Sequence, residues 1–163
     1  KPTADGTRLK SVCLDNGDEI DCSFVIVGVG ARPRTDLFKD ALTMHSNHGV
    51  VVDEYMQTSH PDVYAIGDIA AYPNAMYPDE GYTRVEHVDN ARRSAEHLAD
   101  VLQARELAKG QLKPYKYLPF FYSREFELSW KFYGRQKGNY FIAGNLFELD
   151  SGFVVTWMVS NAV

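Results

Sequence analysis

An aspartate that follows a glycine at the end of a short apolar run is the first place where this chain could do chemistry. The run Val63-Tyr64-Ala65-Ile66 follows the turn Thr58-Ser59-His60-Pro61-Asp62 and leads into Gly67-Asp68. Four apolar residues are too few for a helix and suit a buried parallel strand. Gly67 lacks a Cβ, so a ligand can approach its backbone closely. Asp68 is then expected at the carboxyl end of a strand, where open α/β sheets bind their ligands. A carboxylate there can accept hydrogen bonds from a polyol or a ribose. The plainer alternative is a solvated Asp at a strand-loop junction.

Other reactive residue types offer less. Cys13 and Cys22 are too far apart for a Cys-x-x-Cys redox pair. The turn Asp15-Asn16-Gly17-Asp18 predicts a tight hairpin centred on Asn16-Gly17. In that register Cys13 faces Ile20 and Cys22 faces Ser11, so two reduced structural thiols are expected. His45-x-x-His48 has no further ligands at suitable spacing and reads as a loop, so no metal site is expected.

The elements that must position Asp68 follow from period and punctuation. Residues 8–14 and 19–30 are expected to form a hairpin whose second strand continues through the apolar run 24–30. Pro33 ends that strand, because it cannot donate to a ladder and biases its predecessor to extended geometry. Residues 50–53 form another extended run, and 72–83 an irregular loop marked by Pro73, Pro78, Asp79 and Gly81. Val88, Ala91, Ala95, Leu98 and Leu102 recur at steps of three and four, which predicts a helix with those residues on one face. Asp89 and Asn90 are candidate caps or first-turn residues, and Lys109-Gly110 ends the helix. From Tyr115 the chain becomes aromatic. Phe126, Leu128, Trp130 and Phe132 alternate with polar residues at the period of a half-buried strand. Residues 140–143 and 153–159 read as further strands. The fold class is therefore α/β with a following α+β, sheet-rich part.

Composition narrows the function classes. With 163 residues the chain can bury a substantial core; it is 45% hydrophobic, 24% charged and 13% aromatic, with net charge −5. Both signs of charge are scattered, which argues against nucleic acid or an anionic membrane as partner. No apolar run approaches the roughly 18 residues that span a bilayer, and no signal-peptide pattern opens the chain. A cytoplasmic location is the expectation, with the reservation that a targeting segment could precede Lys1. Both ends look cut, so the rest of a longer polypeptide is expected as a partner.

Residues 58–68 resemble the second FAD-binding motif of flavoprotein pyridine-nucleotide oxidoreductases of the glutathione-reductase type. Four segments together are similar to monodehydroascorbate reductase: Gly28-Val29-Gly30-Ala31-Arg32-Pro33, Tyr64-Ala65-Ile66-Gly67-Asp68, Arg84-Val85-Glu86-His87-Val88-Asp89-Asn90-Ala91-Arg92 and Leu118-Pro119-Phe120-Phe121-Tyr122-Ser123-Arg124. The first two occur widely among FAD-dependent NAD(P)H reductases. The last two are more specific, and the run 126–134 is also close to that family. The resemblance covers nearly the whole chain, but only the carboxyl-terminal portion of such an enzyme.

The resemblance implies FAD and NAD(P)H as cofactors and the ascorbate radical as small-molecule substrate. NAD(P)H would give a hydride to the flavin, which would return electrons singly to two radicals. It implies the end of a NAD(H) domain at 1–34, the remainder of an FAD domain at 35–112 and a truncated terminal domain at 113–163. Gly30 would lie against the nicotinamide nucleotide, and Asp68 would hold a ribityl hydroxyl. Glu86 and His87 would lie near the nicotinamide, and Val88 would give a backbone contact to the flavin. Arg92 would bind the radical anion, and Tyr122 would stand beside flavin and substrate. A helix start near Val88 suits negative charge on a reduced flavin, and Arg92 offers a planar fork to an anionic enediol.

Each residue also has a plainer role: Gly30 as a strand end, Arg92 paired with Glu96 at i, i+4, Tyr122 as core packing and His87 as a structural histidine. The chain departs from the family at Asn90, usually His, and at Thr83, usually basic. Its 72–83 loop is slightly long. The rival readings are a reductase of a ferredoxin-like or quinone acceptor, and a non-catalytic interaction fragment.

Overall fold

In the computed structural model, residues 1–108, 110–145, 147–148 and 152–158 are described. The chain divides into two compact units, Lys1–Arg32 and Pro33–Val163.

The first unit is a small hairpin, β1 (Ser11–Cys13) paired antiparallel with β2 (Glu19–Asp21). Its register puts Cys13 opposite Glu19 and Val12 opposite Ile20, one residue away from the expected pairing. The reason is the turn. Leu14 and Asp18 close a three-residue loop in which Gly17, at φ 92°, sits in the left-handed region and its N–H donates to the Leu14 carbonyl. A glycine there adds the extra loop residue that a two-residue turn lacks. Both thiols are free. The apolar run 24–30 forms no regular element, pairs with nothing among the described residues and is exposed throughout. The strand expected there is not formed, because a ladder needs a partner and composition alone supplies none.

The second unit is built on β3 (Val50–Val51), β4 (Ala70–Pro73) and β5 (Tyr82–Thr83), in the spatial order β3-β4-β5. β3 and β4 run parallel, and β4 and β5 antiparallel. The expected strand over 63–66 is instead an extended approach held by a single bridge between Gln57 and Tyr64. Strand pairing starts after the glycine, at Ala70. The ends of the 72–83 segment, expected as loop, are themselves strand.

Helix α1 (Val88–Leu107) packs its amino-terminal half against the turn that precedes β4. Its cap is His87, whose Nδ1 accepts the Asp89 N–H at 3.1 Å, and Asp89 and Asn90 are first-turn residues. It ends at Leu107 through Ala108, which adopts a left-handed conformation. Its buried residues are Asn90, Ser94 and Val101, whereas Val88, Ala95 and Leu102 are exposed. The buried face is thus offset from the expected stripe, because hydrogen bonds rather than apolar area anchor the helix start.

Asn90 is wholly buried. Its Oδ1 accepts from the Tyr72 hydroxyl (2.9 Å) and the Tyr115 hydroxyl (3.1 Å), and its Nδ2 donates to the Val85 carbonyl (3.0 Å). One side chain ties β4, the segment before α1 and the segment after it. Around it lies the core of Val50, Val52, Met56, Ala65, Tyr72, Val85, Tyr115 and Tyr117. Burial raises the hydroxyl pKa of Tyr72 and Tyr115 well above the usual tyrosine range.

Two antiparallel hairpins follow. β6 (Phe120–Glu125) pairs with β7 (Leu128–Tyr133), and β8 (Asn139–Gly144) with β9 (Phe153–Met158). Phe126 is in the turn, at φ 54° and fully exposed, and not in the strand its alternation suggested. The two-residue loop closes with Glu125 opposite Leu128, and its geometry requires a positive φ. Val159 lies outside the described residues. Trp130 meets Phe153 edge-on at 5.3 Å and Phe132 meets Trp157 at 6.0 Å, joining the two hairpins through rings. No helix among the described residues is long and apolar enough to cross a membrane.

Candidate functional site

The site begins at a 3-10 turn, Gly67–Ile69, that leads into β4. Gly67 has φ 68°, and a Cβ built on it would lie 3.4 Å from the Ala91 Cβ. Its N–H donates to Ser94 Oγ at 3.0 Å. The second turn of α1 therefore sits directly on the glycine, and a side chain at 67 would be strained by its backbone conformation. Asp68 is exposed at this turn. It precedes a strand instead of ending one, because the run 63–66 has no parallel neighbour to make it a strand.

Arg84 connects this turn to the segment before α1. Its Nη1 donates to the Asp68 carbonyl at 3.0 Å and pairs with Glu86, while its Nε donates to the Asn47 carbonyl at 3.1 Å. Glu86 is exposed. His87 follows, extended, with its ring against Phe121 (5.3 Å), Tyr122 (5.5 Å) and Phe120 (6.0 Å). Because Nδ1 accepts the cap bond, the neutral ring presents Nε2 as donor. Val88 opens the helix and is 58% exposed.

Tyr122 lies on β6 opposite Lys131, meets His87 nearly perpendicularly and is 55% exposed. It is therefore not a core residue. A cleft of about 790 Å3 between the two hairpins includes Tyr122, Trp130, Phe132 and Trp157 in its lining, but not Asp68, Glu86 or His87. The link from Tyr122 to the start of α1 is its ring contact with His87.

Asp68, Glu86, His87, Val88 and Tyr122 thus share one patch, linked through Arg84, the helix start and the His87–Tyr122 ring contact. Arg92 is exposed on α1 and makes no ion pair among the described residues; the alternative pairing with Glu96 does not form, and the neighbouring Arg93 pairs with Asp89 at 3.7 Å. Gly30 belongs to the other unit, exposed and at φ 78°. Asn90, one of the departures from the family pattern, is the buried hub described above. Thr83 pairs with Tyr72 in the β4–β5 ladder.

Sequence reasoning assigned no role to Arg84 or Ser94. The Arg84-x-Glu86 spacing puts both side chains on one face of an extended segment and could have signalled the pair. Nothing local signals the contact between Ser94 and Gly67, 27 residues apart.

The patch combines an exposed carboxylate beside close backbone, a helix amino terminus and an aromatic wall. Such a surface can bind a planar, polyhydroxylated group that gains negative charge. Residues 1–95 match the family model described as pyridine nucleotide-disulphide oxidoreductase, and the chain belongs to that family. Residues 118–162 match the carboxyl-terminal domain of monodehydroascorbate reductase 3-like proteins. Among relatives, the monodehydroascorbate reductase of Pisum sativum is 44% identical over 138 residues, 85% of this chain and 31% of that protein. The chain thus spans about a third of the length of the curated relatives it matches. Among solved structures, the covalent putidaredoxin reductase–putidaredoxin complex superposes with TM-score 0.78 at 27% identity, covering 95% of this chain and 36% of that one. A ferredoxin reductase from Rhodopseudomonas palustris gives TM-score 0.66 at 31% identity, covering 88% and 31%. The fold is that of the pyridine nucleotide-disulphide oxidoreductases, followed by a sheet-rich carboxyl-terminal region.

Proposed function

We propose that this chain is the carboxyl-terminal part of an FAD-dependent reductase that passes electrons from NAD(P)H to the monodehydroascorbate radical and regenerates ascorbate. The observation that carries the reading is the Gly67-Asp68 turn seated on the start of α1, in a chain 44% identical to monodehydroascorbate reductases. The glycine backbone, the exposed carboxylate and the helix start fit the ribityl and ring side of FAD. The finer division into 1–34, 35–112 and 113–163 belongs to this proposal, as does a cytoplasmic location, which fractionation of the source cells would test.

In this reading Asp68 accepts a hydrogen bond from a ribityl hydroxyl. The amide groups at Val88 face the flavin ring and stabilise negative charge on it. Glu86 and His87 lie where the nicotinamide enters. Tyr122 covers the ring edge, and Arg92 presents its guanidinium to the anionic acceptor. The flavin, when bound, supplies the conversion of a two-electron donation into single-electron deliveries. The pyrophosphate cradles of FAD and NAD(P)H need Gly-x-Gly-x-x-Gly turns that these residues do not contain, so the rest of a longer polypeptide is the expected partner.

Asp68→Ala in the full-length protein should weaken FAD by on the order of 1.5–3 kcal/mol, the value of a charge-assisted hydrogen bond, measured as bound flavin absorbance across a titration. Unchanged occupancy and affinity would remove Asp68 from the site. Arg92→Ala should slow reduction of the ascorbate radical far more than that of an uncharged acceptor. The superposition on ferredoxin and putidaredoxin reductases favours a second reading, a ferredoxin-like acceptor. Faster turnover with a ferredoxin than with the ascorbate radical would select it.

A further inference from the structure

We infer that Arg84 is a positioning residue that holds Asp68 and Glu86 in one arrangement and compensates the Glu86 charge beside the flavin. The inference rests on the flavin reading above and adds to it a residue whose side chain need not touch the cofactor. The Arg84 side chain is only 13% exposed, and its guanidinium spans three segments: the Asn47 carbonyl at 3.1 Å, the Asp68 carbonyl at 3.0 Å and the Glu86 carboxylate. No other protein group is bonded to the Asp68 carbonyl among the described residues. Arg84 therefore orients the Asp68 peptide through its carbonyl.

The seat for Arg84 is built into the sheet. A Cβ on Gly49 would lie 3.0 Å from Arg84 Cδ and 2.9 Å from the Ala71 Cβ, so the glycine leaves the groove in which the arginine stem lies. Only arginine suits the position. Its planar fork donates in several fixed directions, whereas a lysine ammonium is a single point that cannot reach all three oxygens together.

Charge gives Arg84 a second effect. Glu86 is exposed on the face where the flavin reading puts the nicotinamide, and an uncompensated carboxylate there opposes negative charge on the reduced ring. Pairing with Arg84 cancels much of that field. Removing the arginine should therefore loosen the Asp68 turn and shift the flavin midpoint potential to more negative values.

The test uses the full-length holoprotein and the variants Arg84→Gln, Arg84→Lys, Glu86→Gln and Arg84→Gln/Glu86→Gln. Three quantities are read: the FAD dissociation constant, the flavin midpoint potential and the melting temperature of the apoprotein. Arg84→Gln should raise the dissociation constant on the order of tenfold and make the potential more negative. Adding Glu86→Gln should return the potential toward wild type but leave the affinity weak. Arg84→Lys, which keeps the charge and so guards against misfolding, should preserve the potential better than the affinity. A lower melting temperature in Arg84→Gln and Arg84→Lys, with affinity and potential unchanged, would make Arg84 a support of the fold only and overturn the inference. If Asp68→Ala weakens FAD while neither Arg84 variant alters affinity or potential, the Arg84 assignment alone falls. If the wild-type protein holds no FAD, both readings fall.

Discussion

Val50, Val51 and Val52 are chemically almost interchangeable with Val25, Ile26 and Val27, yet the two stretches have opposite fates. Val52 is 0% exposed and its N–H donates to the Ala71 carbonyl, while Ile26 is 88% exposed and unpaired among the described residues. The first stretch has β4 beside it and the Tyr72–Asn90–Tyr115 cluster within the same core. The second has only its own apolar side chains. Burying a valine or isoleucine stabilises a fold by about 1.5–3 kcal/mol, but only where a surface exists to receive it. An apolar run supplies the potential for a strand, and its neighbours decide whether one forms.

Raising the pH should break this contrast most completely, by dismantling the core that protects residues 50–52. Tyr72 and Tyr115 have hydroxyl pKa values raised chiefly by burial. Their folded-state pKa lies above the unfolded value of about 10, so between the two the folded state binds more protons. Stability is then unaffected below about pH 10 and falls as pH rises beyond it. An ionised phenolate would also lose the hydrogen bond that each hydroxyl donates to Asn90 Oδ1. Ultraviolet titration should show these two hydroxyls ionising only as the fold is lost. Their titration near pH 10 with the far-ultraviolet spectrum unchanged would show that they are not sealed.

Asn90→Leu should have the next largest effect. It leaves two buried hydroxyls and the Val85 carbonyl without their partner, at a cost of about 1–3 kcal/mol for each group left unpaired. The folded population should drop sharply in a denaturant titration, and amides near residues 50–52 should exchange faster. A change below about 1 kcal/mol would mean that the two tyrosines pack adequately without the amide between them.

Asn90 also marks what was legible in the sequence. The periodicity of residues 88–102 and the change toward Gly110 located α1, because helix length and punctuation are local properties. Its buried face was not legible, because Asn90 and Ser94 are anchored by Tyr72, Tyr115 and Gly67, at 18, 25 and 27 residues away. Alternation over 128–132 located β7, but a positive φ moved Phe126 into the turn. The Gly67-Asp68 pair was legible as a motif, while its place before a strand depended on which segments pair. Arg84 escaped because its three acceptors come from separate parts of the chain and only the Glu86 spacing is local. The hairpin register shifted by one residue because Gly17 closes a three-residue loop, a choice made by backbone geometry within a sequence that also fits a two-residue turn.

Ile26→Thr should have the smallest effect and would sharpen the contrast from its other side. The substitution removes apolar surface from a residue that remains in water, so the stability of residues 1–163 should change by no more than about 0.5 kcal/mol. Solubility should improve, because residues 24–30 present a continuous apolar strip that no element among the described residues covers. The same measurement on Val52→Thr supplies the scale: a buried valine replaced by a near-isostere brings a hydroxyl into the core and should cost about 1–3 kcal/mol unless it finds a partner. Denaturant midpoints of the two variants, compared at equal protein concentration, give the ratio directly. Equal losses would mean that the 24–30 run is buried against another surface in solution, and the difference between the two stretches would then lie in which partner covers them.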